Sequence, residues 1–141
     1  MWFKTVLSTS VFLLAMSQIA RADVSLGAGL FVSQATTTGA AIVSLGLFKV
    51  PVVPISGEVT AAVPFNGSGY ATTFDARFTA PDTTQIGAGI GFGNLVNTSS
   101  TNAIFDAIIA HGLIPHLSVE GRVYFGPDRP TSFTAGLRLT L

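Results

Sequence analysis

The chain has 141 residues, no cysteine, and seven basic and seven acidic residues. The length corresponds to one domain, and the lack of cysteine excludes a disulfide framework, a thiol nucleophile and an acylated lipoprotein cysteine. Charged residues make up 10% of the chain, against roughly 25% in soluble domains, which is too few for an ordinary water-facing surface. With zero net charge and no basic patch, the sequence predicts no nucleic-acid partner.

Residues 1–22 have the pattern of a secretory signal peptide. Lys4 provides a basic start, a short apolar run follows, and the sequence A-R-A at 20–22 predicts cleavage before Asp23. The apolar run is too short, and too interrupted by serine and threonine, to cross a bilayer core that needs about 20 residues. We therefore expect residues 23–141 to form the mature domain.

The rest of the chain alternates between apolar residues and polar or small ones, which is the pattern of β-strands. Turn residues, mainly glycine, proline, asparagine and serine, separate eight such segments. The segments are 23–32, 41–48, 55–64, 70–80, 85–93, 102–112, 117–125 and 132–141. The connections are too short for a crossover helix, so each pair of neighbours should be antiparallel.

Segment 102–112 is ambiguous, because Thr101 could cap a short helix and Gly112 could end it. A strand is favoured here because it brings the number of strands to eight. Single-chain bacterial outer-membrane barrels need an even number of strands.

Charged residues are confined to one face of the predicted strands. The apolar faces carry none, and a charge facing lipid at the bilayer midplane costs about 2–4 kcal/mol. The sorting predicts an all-β fold, an eight-stranded antiparallel up-and-down transmembrane β-barrel with a polar, ionic lumen. The residues expected in this lumen network are Glu58, Asp75, Arg77, Asp106, Glu120, Arg122 and Arg138. A soluble sandwich or barrel would alternate in the same way, but its outer face would then be mainly Gly, Ser, Thr and Ala.

Short loops set three strand registers that would pair these charges. Opposed charges of unlike sign stabilise a strand pair, and buried charges need partners. The expected pairs are Glu58 with Arg77, Glu120 with Arg138, and Asp106 with Arg122. A turn of only two residues at Pro115-His116 would instead reverse the facing of the strand before it.

Aromatic residues fall at the ends of the predicted strands, where membrane barrels place girdles at the two lipid–water interfaces. We assign interfacial positions to Phe65, Tyr70, Tyr124 and Phe125, and the pattern extends to Phe31 and Phe48. The alternation also gives a second interpretation for three of these residues, in which Phe31, Phe48 and Tyr124 crowd the barrel interior.

Two stretches carry a family resemblance. Residues 112–125 (GLIPHLSVEGRVYF) resemble the penultimate turn and strand of small outer-membrane barrels of the OmpA/OmpX-like class, and residues 133–141 (FTAGLRLTL) are similar to their terminal strand. The resemblance implies export by the signal peptide to the outer membrane of a Gram-negative bacterium. It also implies outer-membrane lipids and the barrel-insertion machinery as partners. The chain departs from the class by ending in Leu141 rather than in an aromatic residue.

No residue set predicts catalysis, a metal site or a cofactor. The two histidines, His111 and His116, have no carboxylate cluster nearby in the sequence. Glu58 and Asp75 could form a carboxylate pair, but Arg77 makes a structural ion network the better interpretation. We therefore expect that the protein is not an enzyme.

Three functions stay open at this point. The protein could be a structural or surface-interaction barrel, a narrow solute pore, or a secreted soluble β-protein that binds a lipid or hydrophobic ligand. An eight-stranded barrel has an interior just wide enough for side chains, which favours the first. Glycines at 27, 29, 87, 89 and 91 could leave a local gap, and they are the one feature that favours a pore.

Overall fold

The structure is a computed structural model that describes residues 23–34, 36–67, 69–95, 101–127 and 130–141. The predicted signal peptide lies outside the described residues. Within these ranges no helix is long and apolar enough to cross a membrane. The strands are β1 (Val24–Val32), β2 (Thr37–Lys49), β3 (Ile55–Pro64), β4 (Ala71–Thr79), β5 (Thr84–Gly93), β6 (Asn102–Ile114), β7 (Leu117–Phe125) and β8 (Ser132–Thr140).

The eight strands form a closed barrel. Each strand pairs antiparallel with its neighbours in sequence, and β1 pairs with β8 to close the sheet. The predicted fold is confirmed, including the strand at 102–112, which pairs with β5 on one side and β7 on the other. The helix alternative for that segment is wrong, because its alternating residues complete two ladders.

The inside and outside of the barrel reverse the distribution found in a soluble domain. Large apolar side chains point outwards; Leu30, Ile90 and Ile109, for example, are 56%, 56% and 62% exposed. Six charged side chains of the strands are buried inside. Charged residues are almost never fully buried in soluble proteins unless they are paired. This arrangement does not fit the soluble alternative, which needs its apolar face turned inwards.

The barrel has two different ends. The turn end carries both termini of the domain and the short connections 50–54, 80–83 and 115–116. The loop end carries the other connections, at 33–36, 65–70, 94–101 and 126–131. Two strands have a bulge near the turn end, between Gly46 and Phe48 and between Gly112 and Ile114.

The bulge in β6 resolves the question of the last short turn. The turn has only two residues, Pro115 and His116, and His116 has a positive φ of 68°. Such a turn alone would reverse the facing of β6, but the extra residue of the bulge reverses it again. Asp106 therefore faces inwards, as the alternation predicted.

All three predicted charge registers are wrong by two residues. Glu58 lies opposite Asp75, Asp106 opposite Tyr124, and Glu120 opposite Gly136. In the hairpins β3–β4 and β7–β8, the extra unpaired residues lie mainly on the side of the earlier strand, where the innermost pairs are Ala62 with Ala71 and Tyr124 with Ser132. In the hairpin β6–β7, the two-residue turn and the bulge together move the ladder. A shift of two residues keeps every side chain on its predicted face, because the strand period is two.

Glycines line the inner face at two places on opposite sides of the barrel. β5 has inward glycines at 87, 89, 91 and 93, and at the β1–β8 seam Gly29 lies opposite Gly136. A Cβ atom on Gly91 would overlap the carbonyl oxygen of Thr72 on β4. Inward glycines in a barrel are typical of sharp bends in the sheet. Inner-face glycines also leave the lumen free for the side chains of β3 and β4 to contact those of β7 and β8.

Candidate functional site

The seven predicted charges form one connected cluster in the middle of the barrel, which we call the lumen network. Five strands contribute to it, and every member points inwards because it shares a face with small or polar residues. The members are Glu58 on β3, Asp75 and Arg77 on β4, Asp106 on β6, Glu120 and Arg122 on β7, and Arg138 on β8.

Arg122 lies at the centre of the lumen network, and its side chain is fully buried. One guanidinium nitrogen, Nη1, donates to Oδ2 of Asp75 at 2.8 Å and to Oδ2 of Asp106 at 2.7 Å. The other, Nη2, donates to Oε1 of Glu120 at 3.1 Å and lies 3.6 Å from Oε1 of Glu58. A single cation thus holds four carboxylates from four strands.

A second layer of ion pairs lies towards the turn end. Arg77 donates to Glu58 at 2.7 Å through Nε and to Glu120 at 2.7 Å through Nη2. Arg138 donates to the same two carboxylates, at 2.6 Å to Oε2 of Glu58 and at 3.1 Å to Oε2 of Glu120. These four residues join β3 and β4 to β7 and β8 across the lumen. Charge-assisted bonds of this kind are the strong class of hydrogen bond.

The predicted ion pairs therefore meet even though their registers differ. Glu58 contacts Arg77, Glu120 contacts Arg138, and Asp106 contacts Arg122. They do so diagonally, because an arginine side chain is long enough to reach a neighbour two positions along the next strand.

Hydroxyl and amide side chains complete the lumen network, and the sequence analysis did not single them out. Thr60 donates to Oδ2 of Asp75 at 2.9 Å, and Ser25 accepts from Arg138 at 3.0 Å. Gln85 accepts from Arg77 at 3.1 Å. Their sequence signal was present, since each is a polar residue on a predicted inward face.

An apolar layer fills the lumen between the network and the loop end, and we call it the loop-end plug. It consists of Phe31, Leu95, Ile104 and Tyr124, each at most 1% exposed, packed against inward alanines. Leu95 belongs to the β5–β6 connection, so no strand pattern could point to it.

Two aromatic residues with expected interfacial positions, Phe31 and Tyr124, belong to this plug instead. The interfacial position of Tyr124 is wrong, and the second interpretation, in which Tyr124 fills the interior, is confirmed. It lies on the inward face that β7 also uses for Glu120 and Arg122. Phe31 is likewise buried in the plug. Phe48, by contrast, does not fill the interior: the bulge in β2 leaves it 44% exposed with its ring against Gly57.

The three other aromatic residues with expected interfacial positions, Phe65, Tyr70 and Phe125, lie at the loop end. Phe65 is 68% exposed, and its ring covers Gly39. The hydroxyl of Tyr70 lies 3.3 Å from that of Thr101. Phe125 stacks on Phe105 with ring centroids 5.9 Å apart. Their position at a membrane interface stays a prediction.

A cavity of about 600 Å³ opens below the network at the turn end, and we call it the vestibule. Its walls include Glu58, Arg77 and Arg138 from the network. Lys49 forms an exposed ion pair with Asp23 at its rim. The volume falls in the range of small-molecule pockets, but it ends at the ion pairs. The lumen is thus filled at its centre and loop end and hollow at its turn end.

Within the described ranges, no group of three or more His, Cys, Asp or Glu side chains is arranged to hold a metal ion. His111 contacts Thr84, with 3.0 Å between Nδ1 and the hydroxyl oxygen, and His116 sits in the two-residue turn. Each carboxylate of the lumen network is paired with at least one arginine.

Comparison by structure, but not by sequence, finds proteins similar to this barrel. No protein-family model matches the sequence, and no curated protein matches it. The N-terminal β-barrel domain of Pseudomonas aeruginosa OprF is similar in structure, with a TM-score of 0.53 and 15% identity over 84% of this chain and 97% of that domain. The chain has the fold of the small eight-stranded outer-membrane barrels.

Two further solved structures are similar. The de novo designed barrel TMB2.3 has a TM-score of 0.53 and 17% identity over 85% of this chain and 93% of the designed one. Neisserial surface protein A has a TM-score of 0.49 and 13% identity over 85% of this chain and 96% of that protein. At these identities the likeness concerns the fold alone, and a designed protein shares it as fully as a natural one.

Proposed function

We propose that this protein is a sealed structural barrel of the outer membrane, neither a solute pore nor an enzyme. The observation that carries the proposal is the filling of the lumen: two layers of ion pairs and an apolar plug occupy it beneath an apolar exterior. A barrel built in this way gives a rigid membrane-spanning body, which suits a role in envelope structure or in presenting short surface loops.

Membrane insertion is supported by the exterior of the barrel. The outward faces are apolar on every strand, whereas the strand charges, apart from Lys49 at the rim, point into the lumen. In water such an exterior would aggregate, because monomeric soluble proteins rarely expose large apolar patches. Outer-membrane lipids are therefore the expected surroundings, and the barrel-insertion machinery is the expected route.

The pore alternative loses its one sequence argument. The glycines of β1 and β5 could leave a gap, but a Cβ on Gly89 would collide with the carboxylates of Asp75 and Asp106, and one on Gly29 with the backbone of Ala135. The space beside Gly89 is thus occupied by the lumen network. The vestibule does not extend the gap, because the pairs that Glu58 forms with Arg77 and Arg138 form its floor.

The loops limit what the protein could recognise outside the cell. The connections at the loop end run from four to eight residues between strand ends. Specific protein interfaces bury about 800 Å² on each partner, which loops of this size supply poorly. The proposed role is therefore structural first, with surface interaction confined to small or shallow contacts.

Membrane fractionation tests the location. The protein, expressed with its signal sequence in a Gram-negative host, is expected in the outer-membrane fraction, with a mature N-terminus at Asp23. Its mobility in a denaturing gel should change on boiling, because a closed barrel resists detergent until it is heated. Recovery in the soluble periplasm without detergent would overturn the proposal.

A further inference from the structure

We infer that Asp75 and Asp106 share one proton, so that the lumen holds a carboxylic acid–carboxylate pair as a built proton-binding site. This site belongs to the interior of the folded barrel, whatever the cellular role of the protein, so the purified protein alone is enough to test it.

The two carboxyl groups lie side by side. Their Oδ2 atoms share the same nitrogen of Arg122, at 2.8 and 2.7 Å. Their Oδ1 atoms turn the other way, and both lie within 2.5 Å of the point where a Cβ on Gly89 would be. The two Oδ1 atoms are therefore at most 4.6 Å apart.

Neither Oδ1 atom has another partner. Both are completely buried, and neither has a hydrogen-bond donor among the described residues. Buried carboxylate oxygens nearly always accept hydrogen bonds. A proton carried by one of two neighbouring acceptors supplies the donor that the other lacks. Two carboxylates this close cannot both ionise readily, which is the situation in which such pairs retain one proton.

The charge of the lumen network points to the same conclusion. Four carboxylates face three arginines, which leaves one negative charge in excess if every group is ionised. The other charged neighbours of the pair are already engaged, since Arg122 bonds Glu120 and Arg77 bonds Glu58. A single proton between the two aspartates makes the buried cluster neutral, and a neutral cluster avoids the large cost of an uncompensated buried charge.

Residues from every strand around the pair fit this assignment. Thr60 on β3 and Thr73 on β4 donate to the Oδ2 atoms, at 2.9 and 3.3 Å. Gly89 on β5 supplies only backbone, and Tyr124 on β7 lies in the plug above. None of them is a cation that could replace the proton. The absence of a side chain at Gly89 is what leaves room for the two oxygens to meet.

Infrared spectroscopy of the purified barrel in detergent and D₂O tests the inference directly. At neutral pH the wild-type protein should show the C=O stretch of one protonated carboxyl group. Asp75→Asn and Asp106→Asn should each abolish it, because the remaining aspartate then ionises beside a neutral amide. The matched control is Asp82→Asn, which should keep the band. Asp82 is exposed in a turn, and the backbone N–H of Thr84 lowers its pKa, so it is ionised at neutral pH.

Urea unfolding supplies an independent reading. Each single Asn variant should keep a midpoint close to the wild-type value, because a neutral amide replaces a neutral acid and still donates to its partner. The double variant Asp75→Asn/Asp106→Asn should unfold at clearly lower urea, because Arg122 then loses both aspartate partners. Single variants with a raised midpoint would instead indicate two ionised carboxylates in the wild type.

The absence of a protonated-carboxyl band in folded wild-type protein overturns the inference, and so does a band that survives both single substitutions. A midpoint that rises on adding Na⁺ or Mg²⁺, with no such band, would show that a metal cation and not a proton joins the pair. The wild-type spectrum decides the matter even if a variant fails to fold.

Discussion

Replacing Arg122 with methionine is expected to lower the free energy of unfolding by about 3–5 kcal/mol, the usual cost of removing one partner from a buried ion cluster. Methionine keeps much of the side-chain volume but removes the cation that contacts Asp75, Asp106 and Glu120. Those carboxylates would be left buried with too few partners. Urea unfolding of the refolded barrel in detergent, monitored by circular dichroism, measures the change.

Lys49→Met is the matched control for this substitution. It also removes a cation from an ion pair, but the side chain of Lys49 is 76% exposed, and exposed pairs contribute about 0–1 kcal/mol. A cost for Arg122→Met no larger than that for Lys49→Met would mean that the lumen network does not stabilise the barrel.

Adding a single methyl group at Gly91 is expected to destabilise the barrel by about 1–3 kcal/mol or more, the range for overpacking in a filled interior. The new Cβ of Gly91→Ala would overlap the carbonyl oxygen of Thr72, and a backbone atom cannot move aside as a flexible side chain can. Strands β4 and β5 would have to move apart at this point. The same unfolding experiment reports the loss.

Gly121→Ala makes the same chemical change on a strand with open space. The nearest atom to its new Cβ would lie 3.6 Å away, on Ile109, which is ordinary contact. Because alanine loses less entropy than glycine on folding, this variant should be neutral or slightly stabilising. Equal losses at both glycines would contradict a specific need for glycine at position 91.

The fold was predictable because two signals agree along the whole chain. Alternation fixes which residues share a face, and the absence of charge from one face indicates which side meets lipid. Both signals depend only on whether a residue occupies an odd or an even position along its strand. They therefore remain correct when a loop length is misjudged by two residues. For this reason the lumen network could be assembled from the sequence although each of its three registers was displaced by two residues.

The missed features depend on information that parity does not carry. Tyr124 is the exception: its place at a strand end suggested an interface, whereas the alternation along β7, which puts it on the same face as Arg122, gave its interior position correctly. Phe48 points to the outer face because of a bulge that the sequence pattern did not indicate. Leu95 enters the plug from a connection, and the paired Oδ1 atoms of two aspartates become visible only when strands β4 and β6 are placed in three dimensions.

Planar-bilayer recording of the purified protein tests most directly whether the lumen is sealed. Insertion is first established by co-flotation of the protein with liposomes. The inserted wild-type barrel is then expected to give no stable single-channel steps, because the pairs of Arg122 and the loop-end plug occupy the path. Gly89→Phe would be a poor blocking variant, since its ring would collide with the lumen carboxylates. Reproducible steps whose size changes in Lys49→Glu, a substitution at the vestibule rim, would show that ions pass through the lumen and that the barrel is a channel.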